Sequence, residues 1–289
     1  MKYLKYTIFV FIFIVLFGCI ESENENKPIK IAVSNWAGYM PLIYAYEKGL
    51  LRDLNIEIVS SSSISTSLEY VKRGLVDGCV ATQKEYESMK DIVTPIILLN
   101  QSYGGDKILS NLTKDELYAK NSGDIYVHLE KDSINFTLFE YFRDMREWGD
   151  ISFLIKNNTQ NYIAYMKFTI PSIIVTYEPY ATMLIKRGLY EIESTKNPDL
   201  FVIDALYIKK GLLQKDKDKF LKLKKYIKDA QDVLTKNPKI FYEIVKKYLN
   251  YQSYEDFKAT LLEIKFIDEN KEEIIQRIKE KNIEIKNIL

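Results

Sequence analysis

The sequence predicts an α/β protein built as two similar lobes with a helical C-terminal segment, and three observations carry that expectation. From Ile29 onward, short β-rich runs alternate with helix-like segments, the order of βαβ units and mostly parallel sheets. The alternation falls into two series that meet near Gly104-Gly105-Asp106. Beyond Lys210 the strand-like runs stop and helical patterns take over. With 289 residues, 47% of them hydrophobic, the chain is long enough for one large or two ordinary domains with a sizeable core.

Ile29-Lys30-Ile31-Ala32-Val33 reads as the first strand, and Pro41 opens a helix that Gly49 can close. Residues 56–59 form a second strand. Thr66 and Glu69 have capping-box spacing, which places a helix from there to Gly74. Residues 76–82 then read as strand, 85–90 as a short helix and 94–99 as strand. The second series has strands at 124–129, 151–155 and 173–177 and helices at 134–147, 161–168 and 180–187. Residues 201–203 read as one more strand, and 216–235, 238–248, 254–262 and 270–281 as helices. The chain passes between the lobes near 105–112 and returns near 200–206.

The N-terminus has the layout of a secretory signal. Lys2 and Lys5 precede the apolar run from Thr7 to Phe17, and Gly18, Cys19 and a polar stretch follow. That run is short of the roughly 20 residues a spanning helix needs. Leu16-Phe17-Gly18-Cys19 resembles the lipobox of bacterial lipoproteins, with Phe17 where a smaller residue is usual. In that reading Cys19 is the lipidated first mature residue, 1–18 are the signal peptide and 19–28 a polar tether. An uncleaved N-terminal anchor is the alternative. Both export the rest of the chain.

Composition excludes several kinds of chemistry. The charge balance of 41 Lys+Arg to 40 Asp+Glu provides no field for nucleic acid. No phosphate-binding loop, nucleophile elbow or H-E-x-x-H motif occurs. With one His, His128, and one cysteine beyond Cys19, a His/Cys zinc cage cannot be assembled. His128 lies in a strand-like run and reads as a satisfied strand residue, while Cys79 reads as a small buried hydrophobe. The Asn111, Asn135 and Asn157 glycosylation triplets carry no weight in a bacterial host.

Polar residues instead collect just after the expected strands. Ser34, Asn35 and Trp36 follow the first, with Tyr39 ahead of the helix. Ser60 to Ser63, Ser65 and Thr66 follow the second and lead into a helix N-terminus, where free N–H groups and hydroxyls can receive an anionic group. Thr82, Ser102, Asp106, Ser133, Asn135, Tyr177 and Glu178 hold equivalent places. In α/β sheets ligands bind outside the carboxyl ends of strands. Thr66 or Ser133 as a cap, Gly104 as a turn and Glu178 as a solvated loop residue are the structural alternatives.

The stretch Ser34-Asn35-Trp36-Ala37-Gly38-Tyr39-Met40-Pro41-Leu42, with Glu47-Lys48-Gly49-Leu50, resembles solute-binding proteins of the nitrate/sulfonate/taurine/thiamine-precursor class of ABC importers. Gly74 to Val80, Ser102 to Asp106, Val175 to Ala181 and Ile203-Asp204-Ala205-Leu206 are similar to that family in the same order. The resemblance implies a two-lobed periplasmic-binding-protein fold of type II, with 29–108 in lobe 1, 109–203 in lobe 2 and 204–289 returning to lobe 1. It implies a monomer that closes on a small molecule, uses no cofactor and serves an ABC permease and its ATPase. Trp36, Tyr39, Ser63 or Ser65, Thr82, Ser102 and Asp106 would face the ligand from lobe 1. Asn135, Tyr177 and Glu178 would approach from lobe 2, with Asp204 near the crossover.

Asp106, Glu178 and Asp204 in the cleft oppose a bare anion, since two charges about 4 Å apart interact by roughly 1–4 kcal/mol between bulk-water and near-surface dielectrics. An amine-bearing sulfonate or a thiamine-precursor-like pyrimidine fits better, with Trp and Tyr faces to hold a ring or cation. An exported ligand sensor and a menaquinone-pathway-like enzyme share the fold. Thiamine-pyrimidine synthases need a cysteine-rich iron site that this chain lacks. The lipobox has a direct test: Cys19→Ser is expected to move the protein from the membrane fraction to the released fraction, and full retention on membranes would contradict lipidation.

Overall fold

A computed structural model describes residues 27–250, 252–267, 271–285 and 288–289. The expected signal segment and Cys19 lie outside the described residues. The first series forms β1 (Ile29–Val33), α1 (Met40–Glu47), β2 (Ile56–Ser60), α2 (Ile64–Lys72), β3 (Gly78–Thr82), α3 (Gln83–Glu87) and β4 (Val93–Ser102). The second forms β5 (Asp106–Ser110), α4 (Lys114–Ala119), β6 (Ser122–Leu129), α5 (Ile134–Asp144), β7 (Asp150–Asn157), α6 (Gln160–Ile163), β8 (Ser172–Tyr177), α7 (Tyr180–Lys186) and β9 (Tyr190–Ser194). The chain returns through β10 (Ile203–Lys209). It continues as α8 (Leu212–Lys215), α9 (Lys217–Lys236), α10 (Pro238–Val245), α11 (Tyr254–Leu261), β11 (Ile264–Phe266) and α12 (Lys271–Glu280).

These strands make two sheets, ordered β11-β4-β10-β3-β1-β2 and β7-β6-β8-β5-β9. Both contain the same unit. β2-β1-β3 and β7-β6-β8 are parallel triplets, and each is followed by an antiparallel strand, β10 or β5. The α/β architecture with two helix-flanked sheets is the one expected, although the pairing is mixed rather than mostly parallel. A parallel neighbour needs a crossover of a dozen or more residues. The link from β4 to β5 is too short for that, so β5 leaves the first sheet and enters the second directly. Sheet membership changes between Ser102 and Asp106 and again between Ser194 and Ile203. The expected lobe boundary after residue 108 falls inside β5, which pairs along its whole length with β8.

Both faces of the first sheet are covered. Ile29, Ile31 and Val33 join one core cluster with Leu42, Phe220, Leu223 and Phe241, while Ala32 joins another with Leu68, Val71 and Met89. This period-two division explains why the central strands read as continuous apolar runs. In the second sheet Ile125, Val127 and Leu129 pack with Leu138, Phe139, Phe142 and Trp148.

Several local expectations shift. The cap of α2 is Ser63, whose hydroxyl accepts the Thr66 N–H, so the helix starts before the expected Thr66 cap. The strand read at 201–203 begins only at Ile203 and runs through the return segment Ile203–Leu206 to Lys209, because its antiparallel partners β3 and β4 extend that far. α6 is a single turn. β5, α4, β9 and β11 have no counterpart in the sequence reading.

The C-terminal helices are fixed to the first lobe through rings: Phe241 stacks on Tyr44 at 4.8 Å and 4°, and on Phe257 at 6.3 Å and 6°. Phe241 is fully buried. Phe241→Ala is expected to cost about 3–5 kcal/mol, read as a lowered urea midpoint at unchanged slope. A loss under about 1 kcal/mol would mean that the C-terminal helices are not part of this core.

Candidate functional site

The two chain crossings are tied side by side. Ser102 Oγ lies 2.8 Å from Thr195 Oγ1 and accepts the Asp106 N–H at 3.0 Å, and Thr195 Oγ1 accepts the Gly104 N–H at 2.9 Å. Trp36, placed by the loop after β1, lies against this hinge: a Cβ added to Gly105 would stand 2.3 Å from its indole ring. The Trp36 Nε1–H donates to Asn100 Oδ1 at 3.2 Å, and its ring meets Tyr177 edge-on at 6.1 Å. Residues from opposite lobes are therefore in direct contact.

Farther out, the hydrogen bonds that cross the seam include the following. Asn35 Nδ2 donates to Tyr180 Oη at 2.9 Å, and Ser65 Oγ donates to Glu130 Oε2 at 2.9 Å. The Ile134 backbone N–H donates to Glu85 Oε1 at 2.8 Å. The lobes are in a closed arrangement.

The seam is rich in buried carboxyl groups: Glu85, Asp106, Glu130, Glu178 and Asp204 are each at most 5% exposed. Burial pushes Asp106 and Glu178 up to about 7. It raises Asp204 well above the usual carboxylate range, against the hydrogen bond donated by Tyr39 Oη at 2.6 Å. Glu85 and Glu130 are raised by the same desolvation, opposed by the N–H and O–H groups that donate to them. Glu85 also raises Asp106, Glu130 and Asp204 through like charge, which places these groups within one electrostatic cluster.

The buried cation beside this cluster is Lys107, which the sequence reading did not single out. Its Nζ donates to Glu263 at 2.7 Å and to Gly104 O at 2.7 Å, and stands 3.9 Å from Glu178. Its tightest carboxylate contact is with Glu263, which joins the hinge to the chain after α11. It therefore offsets Glu178 only partly.

Several buried polar atoms have no protein partner: Ser34 Oγ, Asn35 Oδ1, Asn135 Nδ2, Gln160 Oε1, Thr176 Oγ1 and Tyr177 Oη. All follow or end strands at the seam. The Gln160 and Asn135 amides are oriented by their bonds. Gln160 Nε2 donates to Val175 O at 3.1 Å and to Asn135 Oδ1 at 2.9 Å, which leaves one donor and one acceptor free. Unsatisfied buried groups are rare in folded proteins and point to a missing partner. Two hollows open between the lobes. One of about 420 Å³ is lined by Ser34, Asn35, Ser61, Asn161 and Tyr180; the other, of about 360 Å³, by Ser65, Arg73, Glu130 and Asn158.

The sequence-derived residues separate into groups. Trp36, Tyr39, Asp106, Asn135, Tyr177, Glu178 and Asp204 are brought together as buried groups at the hinge and seam, and Ser65 joins them through Glu130. Ser63 and Thr82 are helix caps, Ser63 also lining the hollow beside Glu130, and Ser102 holds the hinge turn. His128 bonds Asn158 through Nδ1 at 3.1 Å, and Cys79 is buried 3.8 Å from Met89 Sδ. Sequence reasoning missed Glu85, Glu130 and Gln160. The signal for Glu85 was present in Thr82-Gln83-Lys84-Glu85, a capping-box spacing that directs the glutamate inward.

No protein-family model and no curated protein sequence matches the chain. Solved structures do. The ligand-binding component of an ABC-type import system from Staphylococcus aureus, with zinc bound, is similar with a TM-score of 0.67 at 17% identity, over 90% of this chain and 93% of that one. The alkanesulfonate-binding protein SsuA from Xanthomonas axonopodis, bound to MOPS, has a TM-score of 0.65 at 12% identity, over 91% and 96%. The periplasmic nitrate-binding protein NrtA from Synechocystis has a TM-score of 0.60 at 15% identity, over 80% and 69%. At these identities the likeness is one of fold, the two-lobed fold of periplasmic solute-binding components.

The seam carboxyls make stability depend on pH. Asp106 and Glu178 titrate at about 7 in the folded protein, against about 4 in an unfolded chain. Between those values the folded state holds protons that the unfolded state lacks, so their contribution is greatest at the acidic end and is lost as pH rises through 7. The urea midpoint is expected to fall from pH 5 to pH 8, and the double variant Asp106→Asn, Glu178→Gln to flatten that slope. A wild-type midpoint that rises over the interval would contradict the assignment.

Proposed function

We propose that this protein is an extracytoplasmic solute-binding lipoprotein of an ABC importer, which captures a small amine-bearing organic solute between its lobes and delivers it to a membrane permease. The partnerless polar atoms at the seam carry this reading, because lobe 1 supplies Ser34 and Asn35 while lobe 2 supplies Asn135, Gln160 and Tyr177. A ligand that bonds both lobes stabilises the closed form, whereas one that touches a single lobe does not. The fold shared with importer components supports the transport role, and the signal-like N-terminus supports export and lipid anchoring.

The choice of solute rests on charge. Five buried carboxyl groups, which burial holds toward protonation, and, among the described residues, a single buried lysine held by Glu263 favour an amine that can take up their protons over nitrate or an unaccompanied sulfonate. The free donor of Asn135 and free acceptor of Gln160 suit a planar group with both hydrogen-bonding senses, such as an amino-pyrimidine. Among the described residues, no group of three or more His, Cys, Asp or Glu is placed to hold a metal ion. We assign the chain no reaction of its own.

Mass spectrometry of ligand co-purified under native conditions identifies the solute. Calorimetric titration with amino-pyrimidines, taurine, alkanesulfonates and nitrate tests the charge argument, and tight nitrate binding would overturn it. Tyr177→Phe removes a hydroxyl that has no protein partner. It is expected to weaken solute binding about tenfold while leaving ligand-free stability within about 0.5 kcal/mol. Equal affinity in the variant would remove Tyr177 from the site.

A further inference from the structure

Glu85 has an unusual set of partners. Its Oε2 accepts the Thr82 N–H at 2.9 Å and the Thr82 hydroxyl, closing the capping box of α3 within lobe 1. Its Oε1 reaches across the seam to the Ile134 N–H, the first amide of α5 in lobe 2. The opening amides of a helix have no intrahelical acceptor and carry the positive end of its dipole. At α5, Ser133 Oγ accepts the Asn135 N–H at 3.2 Å, and Glu85 accepts the Ile134 N–H in its place. The cap of this 11-residue helix is thus shared between the lobes.

Glu130 repeats the arrangement in the other direction. At the end of β6 in lobe 2, its Oε1 accepts the Gln160 N–H at 2.9 Å and its Oε2 accepts the Ser65 hydroxyl in the first turn of α2, in lobe 1. Each lobe therefore extends one carboxylate to the start of a helix in the other. Glu85 is the stronger of the two, since its acceptor is fully buried and its cross-lobe donor is a backbone amide of the helix itself.

We propose that Glu85 is a built-in anionic clasp, a carboxylate of lobe 1 that occupies the α5 N-terminus of lobe 2, holds the lobes together and refuses that position to an anionic ligand. It is a positioning and selectivity residue. An anion approaching the Ile134 amide meets a site already filled by negative charge, whereas a cationic or neutral solute finds the helix end satisfied and the remaining carboxyls available. The anion-accepting character of a helix end is converted into an element of closure. This rests on reading the seam as a capture cleft.

Hydrogen exchange of the full-length, ligand-free protein tests it. Glu85→Ala is expected to speed exchange about tenfold or more in peptides that contain Ile134, while α9 peptides stay unchanged. Thr82→Val removes the hydroxyl of the capping box but leaves Glu85 on Ile134, so it is expected to leave the Ile134 exchange near the wild-type rate. Added sodium sulfate is expected to raise protection at Ile134 in Glu85→Ala more than in wild type, where it acts only as a general stabilising salt that protects α9 equally. If Glu85→Ala does not fold, Glu85→Gln is read in its place. Its amide carries no charge and its one oxygen cannot accept from both Thr82 and Ile134, so exchange is expected to be faster at Ile134 or in the Thr82–Glu85 turn. Unchanged exchange in the variant, acceleration by Thr82→Val as large as by Glu85→Ala, or equal sulfate protection of wild type would each overturn the clasp. The exchange arm needs no solute, so it stands if no solute is captured, and its failure leaves the capture reading in place.

Discussion

Burying carboxyl groups along the seam between two sheets is the constraint on which the closed arrangement depends. An isolated buried carboxylate is costly, and it must be paired, hydrogen-bonded or protonated. Each of these resolutions is used here. Lys107 is locked onto Glu263, and Tyr39 donates to Asp204. Glu85 and Glu130 take N–H and O–H donors from both lobes. Asp106 and Glu178 are displaced to about 7, where protonation relieves what hydrogen bonding does not. The donors that satisfy Glu85 and Glu130 come partly from the opposite lobe, so opening the cleft removes partners and admits water at once. Closure and electrostatic satisfaction are coupled.

The hinge makes this coupling geometrically possible. Only Tyr103, Gly104 and Gly105 separate β4 from β5, and Gly104 adopts φ +115°, a conformation that side-chain-bearing residues rarely adopt. Gly105 leaves room for the Trp36 indole, where any Cβ would collide with the ring. The same aromatic residue that contacts Tyr177 across the seam thus lies on the pivot.

How legible this was in the sequence depended on burial. β1 was readable residue for residue because its period-two pattern serves clusters on both sheet faces. The parallel triplets were readable because their helices carry caps and clear apolar stripes. β5 and β9 were not, since their pairing is dictated by the crossing of the chain, and the polar ends of Asp106-Lys107 and Glu191-Ile192-Glu193 lack a β signature. Strand-end polar residues located the seam, but not their individual roles: Ser63 and Thr82 serve the helices they start, and Ser102 serves the turn. Glu85, Glu130 and Gln160 escaped because a glutamate in a helical turn or strand end normally reads as solvated. Only the three-dimensional closure of one lobe on the other buries them.

The same reasoning bears on how one fold serves ligands of opposite charge. The two parallel triplets aim helix N-termini at the cleft, and unmodified helix ends of this kind favour anions. Structurally similar proteins include a nitrate-binding and an alkanesulfonate-binding protein. A chain that keeps this framework can change sign by supplying its own carboxylates to those helix ends, without moving a strand. Glu85 on α5 and Glu130 on α6 are placed to do this here, and the capping box behind Glu85 holds its side chain in one rotamer. In the clasp reading, electrostatic selectivity would rest on side chains at helix starts, with the sheets and the hinge as the shared framework.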